Sequence, residues 1–232
     1  MVLLLIVKIM KIIRKIKEKT LIESFKQEFK KIALKNEQNK KRLSFVLTGG
    51  PSPIKLYKEL SKLNINWKNV DFFWGDERYV SKNSQYSNFL LAKKNLFDFI
   101  NISNKQIFSV NTKKNSCLKS TEDYEKKINN YFKNKKIKFD IVLLGMGYDG
   151  HIASIFPGSL EIKSKQITRY VVRKDFERIS ISLKTINDSK SIFLWLNSKK
   201  RTKIFSKLKL IKNYEIPINN LSKSKTIIFS IK

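Results

Sequence analysis

The chain has 232 residues, 41% of them hydrophobic and 29% charged, with 49 Lys and Arg against 19 Asp and Glu for a formal net charge of +30. Such a chain is too apolar to be disordered and long enough for one α/β domain, residues 1–232, whose core needs no staples. Its single cysteine, Cys117, excludes an internal disulfide, and no Cys/His set stands at metal-ligand spacing, so a reducing, cytoplasmic setting without a metal is expected.

The charge invites a polyphosphate or nucleic-acid partner. Its distribution argues otherwise, because lysines are spread along the whole chain beside Asn and Ile, as a bias toward AT-rich codons produces. With no aromatic-interleaved basic stretch, no specific nucleic-acid partner is expected, while the positive field favours capture of an anionic substrate.

In chain order, MVLLLIVKIMKIIRKIKEKT offers only six apolar residues after Met1 before Lys8 interrupts, far short of the roughly 20 that cross a bilayer. The basic residues follow the apolar run and no small-residue cleavage site appears, so the segment predicts a first strand leading into a basic helix, not a membrane span or a secretory signal. Apolar residues at helical spacing predict a helix over 20–34. LSFVL (43–47) predicts a buried strand that stops at TGGPSP, followed by a helix over 54–60. VDFFW (70–74) predicts a second strand ending at GDER, with a helix over 87–99 behind it. A short strand is expected at 108–110 and a helix at 121–133, N-capped by Thr121 with Glu122 and Asp123 in its first turn. FDIVLLGMG (139–147) predicts a third strand, its apolar part 139–144. Further strands are expected at 178–183, 193–196 and 226–231, and a basic helix at 199–211. Apolar strands alternating with helices predict a three-layer, mostly parallel, Rossmann-like sheet with helices on both faces.

In such sheets ligands bind beyond the carboxyl ends of the strands. Three stretches fall there, TGGPSP, GDERYV and GMGYDGH, and the expectation is that they converge on one cleft. The glycines of TGGPSP allow a tight turn and close approach of an anion, although no GK[ST] follows to make a nucleoside-triphosphate loop. Arg78 offers a planar fork to a phosphate or a developing oxyanion, with Asp76 and Glu77 placed to orient it. His151, the only histidine, sits among Gly145, Gly147 and Gly150, two residues after Asp149. A histidine there can act as general base toward water with the carboxylate fixing its tautomer. No GxSxG elbow supplies a serine nucleophile, which leaves water activated by His151 without a covalent intermediate.

These residues carry a resemblance. LTGGPSPIKLYKEL, FFWGDERYV and LLGMGYDGHIASIFPGS resemble, in this order, the SGGSTPxxLYxxL, GDERxV and LGMGxDGHTASLFPG segments of the 6-phosphogluconolactonases, and weaker similarity extends over about residues 20–231. The resemblance implies the fold of the glucosamine-6-phosphate deaminase superfamily. It also implies hydrolysis of 6-phospho-D-glucono-1,5-lactone to 6-phosphogluconate, a small-molecule partner, and no cofactor. Thr48, Gly49 and Gly50 would then hold the phosphate with Arg78 or a later basic residue, His151 would activate water beside Asp149, and Arg178 and Arg201 would be further phosphate contacts. Asp76, Glu77, Gly147 and Gly150 stand with the binding residues. Deaminases of the same superfamily resemble DEY at the position of Asp76–Arg78 and continue DGH as IAFNEP, where this chain has Arg78, Ile155 and Phe156. Departures from the lactonase pattern are Pro51 in the glycine turn, Asn83 and Ser84 after GDERYV, and Ser198 ahead of Arg201. A deaminase and a basic nucleic-acid or membrane-surface binder remain the alternatives.

Overall fold

The computed structural model describes residues 10–211 and 213–232. The apolar run at 2–7 lies outside the described residues. The expected strand-then-helix start appears as β1 (Lys11–Lys15) followed by α1 (Glu18–Gln38), a 21-residue helix whose Leu21, Ile22, Phe25, Phe29 and Ala33 form one buried stripe.

Six strands, β1, β2 (Leu43–Leu47), β3 (Val70–Trp74), β5 (Ile141–Leu144), β8 (Ser191–Leu196) and β9 (Thr226–Ile231), make a wholly parallel sheet in the order β1-β9-β8-β5-β2-β3. β2, β3, β5 and, but for its first residue, β8 are buried throughout, as strands covered on both faces must be. Alternation along each strand sorts two cores. Phe45, Leu47, Phe72, Trp74, Phe193 and Trp195 face α1 and α2 (Ile54–Leu60). Val46, Phe73, Val142, Leu144, Ile192 and Leu194 face α4 (Cys117–Tyr131), α5 (Leu183–Asp188) and α6 (Lys199–Ile211). The expected three-layer α/β architecture is therefore present.

The chain leaves β2 toward β3 on one side and returns through β5 on the other, so the order of strand addition reverses between β2 and β5 while the strands stay parallel. The carboxyl ends of these two neighbours open the crevice in which ligands of such sheets bind. A second, antiparallel sheet stands beside it, formed by β4 (Asp76–Arg78), β7 (Glu177–Ile181) and β6 (Thr168–Val172) in the order β4-β7-β6. This sheet is absent from the sequence reading, which saw only its middle strand.

Three local expectations are corrected. Residues 108–110 are not a strand, since only a single bridge joins Phe72 to Ile107. The helix expected from Thr121 starts one turn earlier, because Ser116 is its cap and accepts from the Lys119 amide at 3.1 Å. Thr121 instead donates back to the Cys117 carbonyl at 2.9 Å from inside the helix. The helix expected over 87–99 is shorter, α3 (Asn88–Asn95), capped by Ser87 and followed by a separate turn at Phe97–Phe99.

Candidate active site

The turn after β2 is fixed from below. The buried Tyr57 hydroxyl accepts from the Thr48 amide at 3.0 Å and donates to the Thr48 carbonyl at 2.6 Å. Thr48 Oγ1 in turn accepts from the Gly145 amide at 3.2 Å, which ties the turn after β2 to the turn after β5. Gly50 has φ 73°, the left-handed region open to glycine, while Gly49 is flat against the Asn88 carboxamide, so that a Cβ there would lie 2.0 Å from Asn88 Oδ1.

Asp76, Glu77 and Arg78 form β4, and alternation sends them to different places. Asp76 is buried and accepts from Ser154 Oγ at 2.6 Å, with the Asn88 side-chain amide donating to its backbone carbonyl at 2.9 Å. Glu77 is turned away from the crevice, against the expectation that it serves the ligand. Its carboxylate accepts from the amides of Arg78, Asn88 and Phe89 at 2.9, 2.7 and 2.8 Å and from Ser87 Oγ at 3.2 Å, so it holds the first turn of α3. Burial pushes its carboxyl up from 4.5 to about 7, against the pull of the three amides. Arg78 faces the crevice and pairs across the antiparallel ladder with Arg178 of β7.

The loop after β5 presents the histidine. The Gly147 amide donates to the His151 carbonyl at 2.9 Å and the Gly150 amide to the Gly147 carbonyl at 3.1 Å, a closed turn that puts Asp149 Oδ1 2.6 Å from His151 Nδ1 and 3.1 Å from the His151 amide. A Cβ on Gly147 would sit 2.2 Å from His151 Nδ1, so the imidazole occupies the space that the missing side chain leaves. Gly150 does not face the crevice. It has φ 90° and its Cα abuts Ile216 and Leu208, which makes it a conformational and packing requirement. The Phe156 ring packs against the imidazole at 4.6 Å between centroids.

The expected convergence is met. A cleft of about 210 Å³ is lined by Thr48, Gly49 and Gly50 from the first turn, Asp76 and Arg78 from the second, and Gly145, Gly147 and His151 from the third. Arg178, Arg201, Asn88 and Ala153 complete much of its wall. Arg201 stands in the first turn of α6, where Ser198 Oγ accepts from its amide at 3.3 Å, and its Nε lies 3.4 Å from the Met146 carbonyl. Asp149 lies outside the lining and reaches the cleft through His151. A wider hollow of about 600 Å³, beside Arg42, Asp71 and Tyr131 at the amino ends of β2 and β3, holds none of the expected site residues.

Asn88, Ser154 and Phe156 carry parts of the site that residue-type reasoning did not single out. Their signal was sequence position only: Asn88 follows the helix cap Ser87, and Ser154 and Phe156 follow His151 within the same dense motif. Three polar atoms of the cleft residues are buried with no hydrogen-bond partner among the described residues: Nε of Arg78, Nε of Arg178 and Oδ1 of Asn88. Two of these are guanidinium N–H donors of residues paired across the β4–β7 ladder.

A family model described as glucosamine-6-phosphate isomerases/6-phosphogluconolactonase matches residues 16–229. Among curated relatives, the 6-phosphogluconolactonase of Thermotoga maritima is 30% identical over 195 residues, covering 83% of this chain and 86% of the relative. That of Nostoc sp. is 36% identical over 167 residues, 69% of each. The crystal structure of the Thermotoga maritima enzyme superposes with a TM-score of 0.84 at 27% identity, covering 96% of this chain and all of that one. The 6-phosphogluconolactonase of Trypanosoma cruzi superposes at 0.82 and 26% identity, covering 96% and 94%. With its fold, its three strand-end motifs and these relatives in agreement, the chain belongs to the glucosamine-6-phosphate isomerase/6-phosphogluconolactonase family.

Proposed function

We propose that this chain hydrolyses 6-phospho-D-glucono-1,5-lactone to 6-phosphogluconate with water activated by His151. The observation that carries the reading is the placement of His151, held from behind by Asp149, and of the opposed Arg78 and Arg178 on the walls of one cleft. A carboxylate 2.6 Å from Nδ1 keeps the proton on that nitrogen and leaves Nε2 as the base.

Nε2 takes a proton from water as the oxygen adds to the lactone carbonyl carbon. The tetrahedral oxyanion develops beside backbone N–H donors of the strand-end turns. Collapse breaks the bond to the ring oxygen, which leaves with the proton held by His151, and the new carboxylic acid ionises. Asp149, hydrogen-bonded to Nδ1, stabilises the imidazolium. The turn of Thr48, Gly49 and Gly50, with Arg78, Arg178 and Arg201, grips the phosphate.

The deaminase alternative is disfavoured by Phe156, whose ring occupies the space against His151. Glucosamine-6-phosphate deamination needs further acid–base equipment in this segment, where the chain offers Ile155 and Phe156. The test is to supply purified protein with the phosphorylated lactone, coupled to 6-phosphogluconate dehydrogenase and corrected for spontaneous hydrolysis, and in parallel with glucosamine 6-phosphate. The reading expects rapid 6-phosphogluconate formation and no ammonia; ammonia release without lactone hydrolysis overturns it.

A further inference from the structure

Arg78 and Arg178 lie directly opposite one another on antiparallel strands, where like charges repel. Each has its outer end tied to the rim of the cleft. Arg78 Nη1 donates to the Tyr86 carbonyl at 2.8 Å, and Arg178 Nη2 donates to the Asp175 carboxylate at 2.5 Å. With the outer ends held, the buried Nε–H of each is left without a partner among the described residues.

Tyr86 ends the loop between β4 and α3, and Asp175 and Phe176 form the turn between β6 and β7. These two segments meet through their rings, Tyr86 and Phe176, at 5.0 Å between centroids and 44° between planes. Tyr86 is 49% exposed and belongs to neither core. The Phe176 amide also donates to Asp175 Oδ1 at 2.9 Å, which fixes the carboxylate that holds Arg178. Two residues before Asp175, the Arg173 guanidinium lies 4.1 Å from the centroid of Phe156, the ring packed on His151.

We propose that Tyr86, Asp175 and Phe176 form an aromatic clasp that positions Arg78 and Arg178 for the phosphate of the substrate, making these three positioning residues for phosphate specificity. The proposal rests on the lactonase reading above. The clasp joins the two segments that hold the arginine tips, so opening it lets the like charges move apart. A dianion between them loses one of its two forks, whereas the chemistry at His151 is left in place.

The experiment compares full-length wild type with Phe176→Ala, Tyr86→Ala, Asp175→Asn and the conservative Phe176→Tyr, on 6-phospho-D-glucono-1,5-lactone and on unphosphorylated D-glucono-1,5-lactone. The two ring deletions and Asp175→Asn are expected to raise KM for the phosphorylated lactone about tenfold with kcat within about twofold, and to leave kcat/KM for the unphosphorylated lactone unchanged. Phe176→Tyr keeps the ring contact and keeps the wild-type KM. Calorimetric titration with 6-phosphogluconate should show the same tenfold weakening in the ring-deleted variants. Equal losses on both lactones, or no loss on either, overturn the clasp while leaving the lactonase reading intact. Wild type no faster than buffer on the phosphorylated lactone, with deletions that do not weaken 6-phosphogluconate, overturns both.

Discussion

Replacing Gly147 by alanine should remove activity while leaving the fold. The new methyl would fall 2.2 Å from His151 Cε1 and Nδ1 and 2.7 Å from Asp149 Oδ1. Ordinary contact begins near 3.4 Å, so the imidazole has to retreat by at least about 1 Å, which breaks its hydrogen bond to Asp149. The side chain can make that move, because His151 keeps 32% of its side-chain surface and Asp149 48%, and Gly147 is not in the left-handed region. A reacting group displaced by about 1 Å costs about 100-fold in rate, or about 3 kcal/mol of transition-state stabilisation. The assay is initial-rate lactone hydrolysis above the spontaneous background, with a thermal melt of the same preparation. A kcat within threefold of wild type refutes the claim that the glycine makes room for the catalytic ring. A melting temperature lowered by more than about 5 °C shows instead that the methyl disturbed the fold.

Gly49→Ala makes a contrasting prediction, since its methyl meets the Asn88 carboxamide at 2.0 to 2.2 Å, and Asn88 is 1% exposed and pinned to Asp76 and Glu77. That partner cannot swing away, so urea unfolding should show a loss of about 2 to 3 kcal/mol, and an unchanged midpoint would contradict the packing argument. Asp149→Asn removes the negative charge that holds the Nδ1 proton and stabilises the imidazolium, and should lower kcat about 100-fold or more with little change in KM, read from saturation curves; a change confined to KM would reassign Asp149 to binding. Glu77 supplies a pH signature in stability. Its folded-state value of about 7 lies above the ordinary 4.5, so between those values the native state keeps a proton that the unfolded chain has released. Stability therefore falls as pH rises from about 4.5 to about 7, by about 3 kcal/mol in all. Glu77→Gln, neutral at every pH, should flatten that slope in denaturant titrations at pH 5, 6 and 7; an identical slope in the variant counts against the assignment.

The parallel sheet was legible because its central strands are buried on both faces, which leaves short apolar runs such as LSFVL and VDFFW cut off by glycines. Those runs match β2 and β3 residue for residue. The antiparallel sheet was not legible: β4 is three charged residues, and β6, TRYVV, is half exposed and carries no continuous apolar signal. Its pairing comes from long-range register, which no local pattern encodes. The cap at Ser116 was missed for a related reason, because Thr121 with two acids behind it mimics a helix start inside a helix already running. In the site, the residue types and their strand-end positions were enough to bring Thr48, Arg78 and His151 to one cleft. The opposite fates of Asp76 and Glu77 were not foreseeable from the tripeptide. Alternation separates them, but only the location of α3 shows that Glu77 serves helix amides and Asp76 the cleft.

The most direct test of the catalytic account is the rate of lactone consumption by His151→Ala at saturating substrate, measured against wild type and against buffer alone. Removal of the only imidazole is expected to bring enzymatic turnover down by at least about 1,000-fold, with 6-phosphogluconate still bound at near wild-type affinity. Turnover within tenfold of wild type in a folded His151→Ala protein would contradict it, because the water would then be activated by some other group.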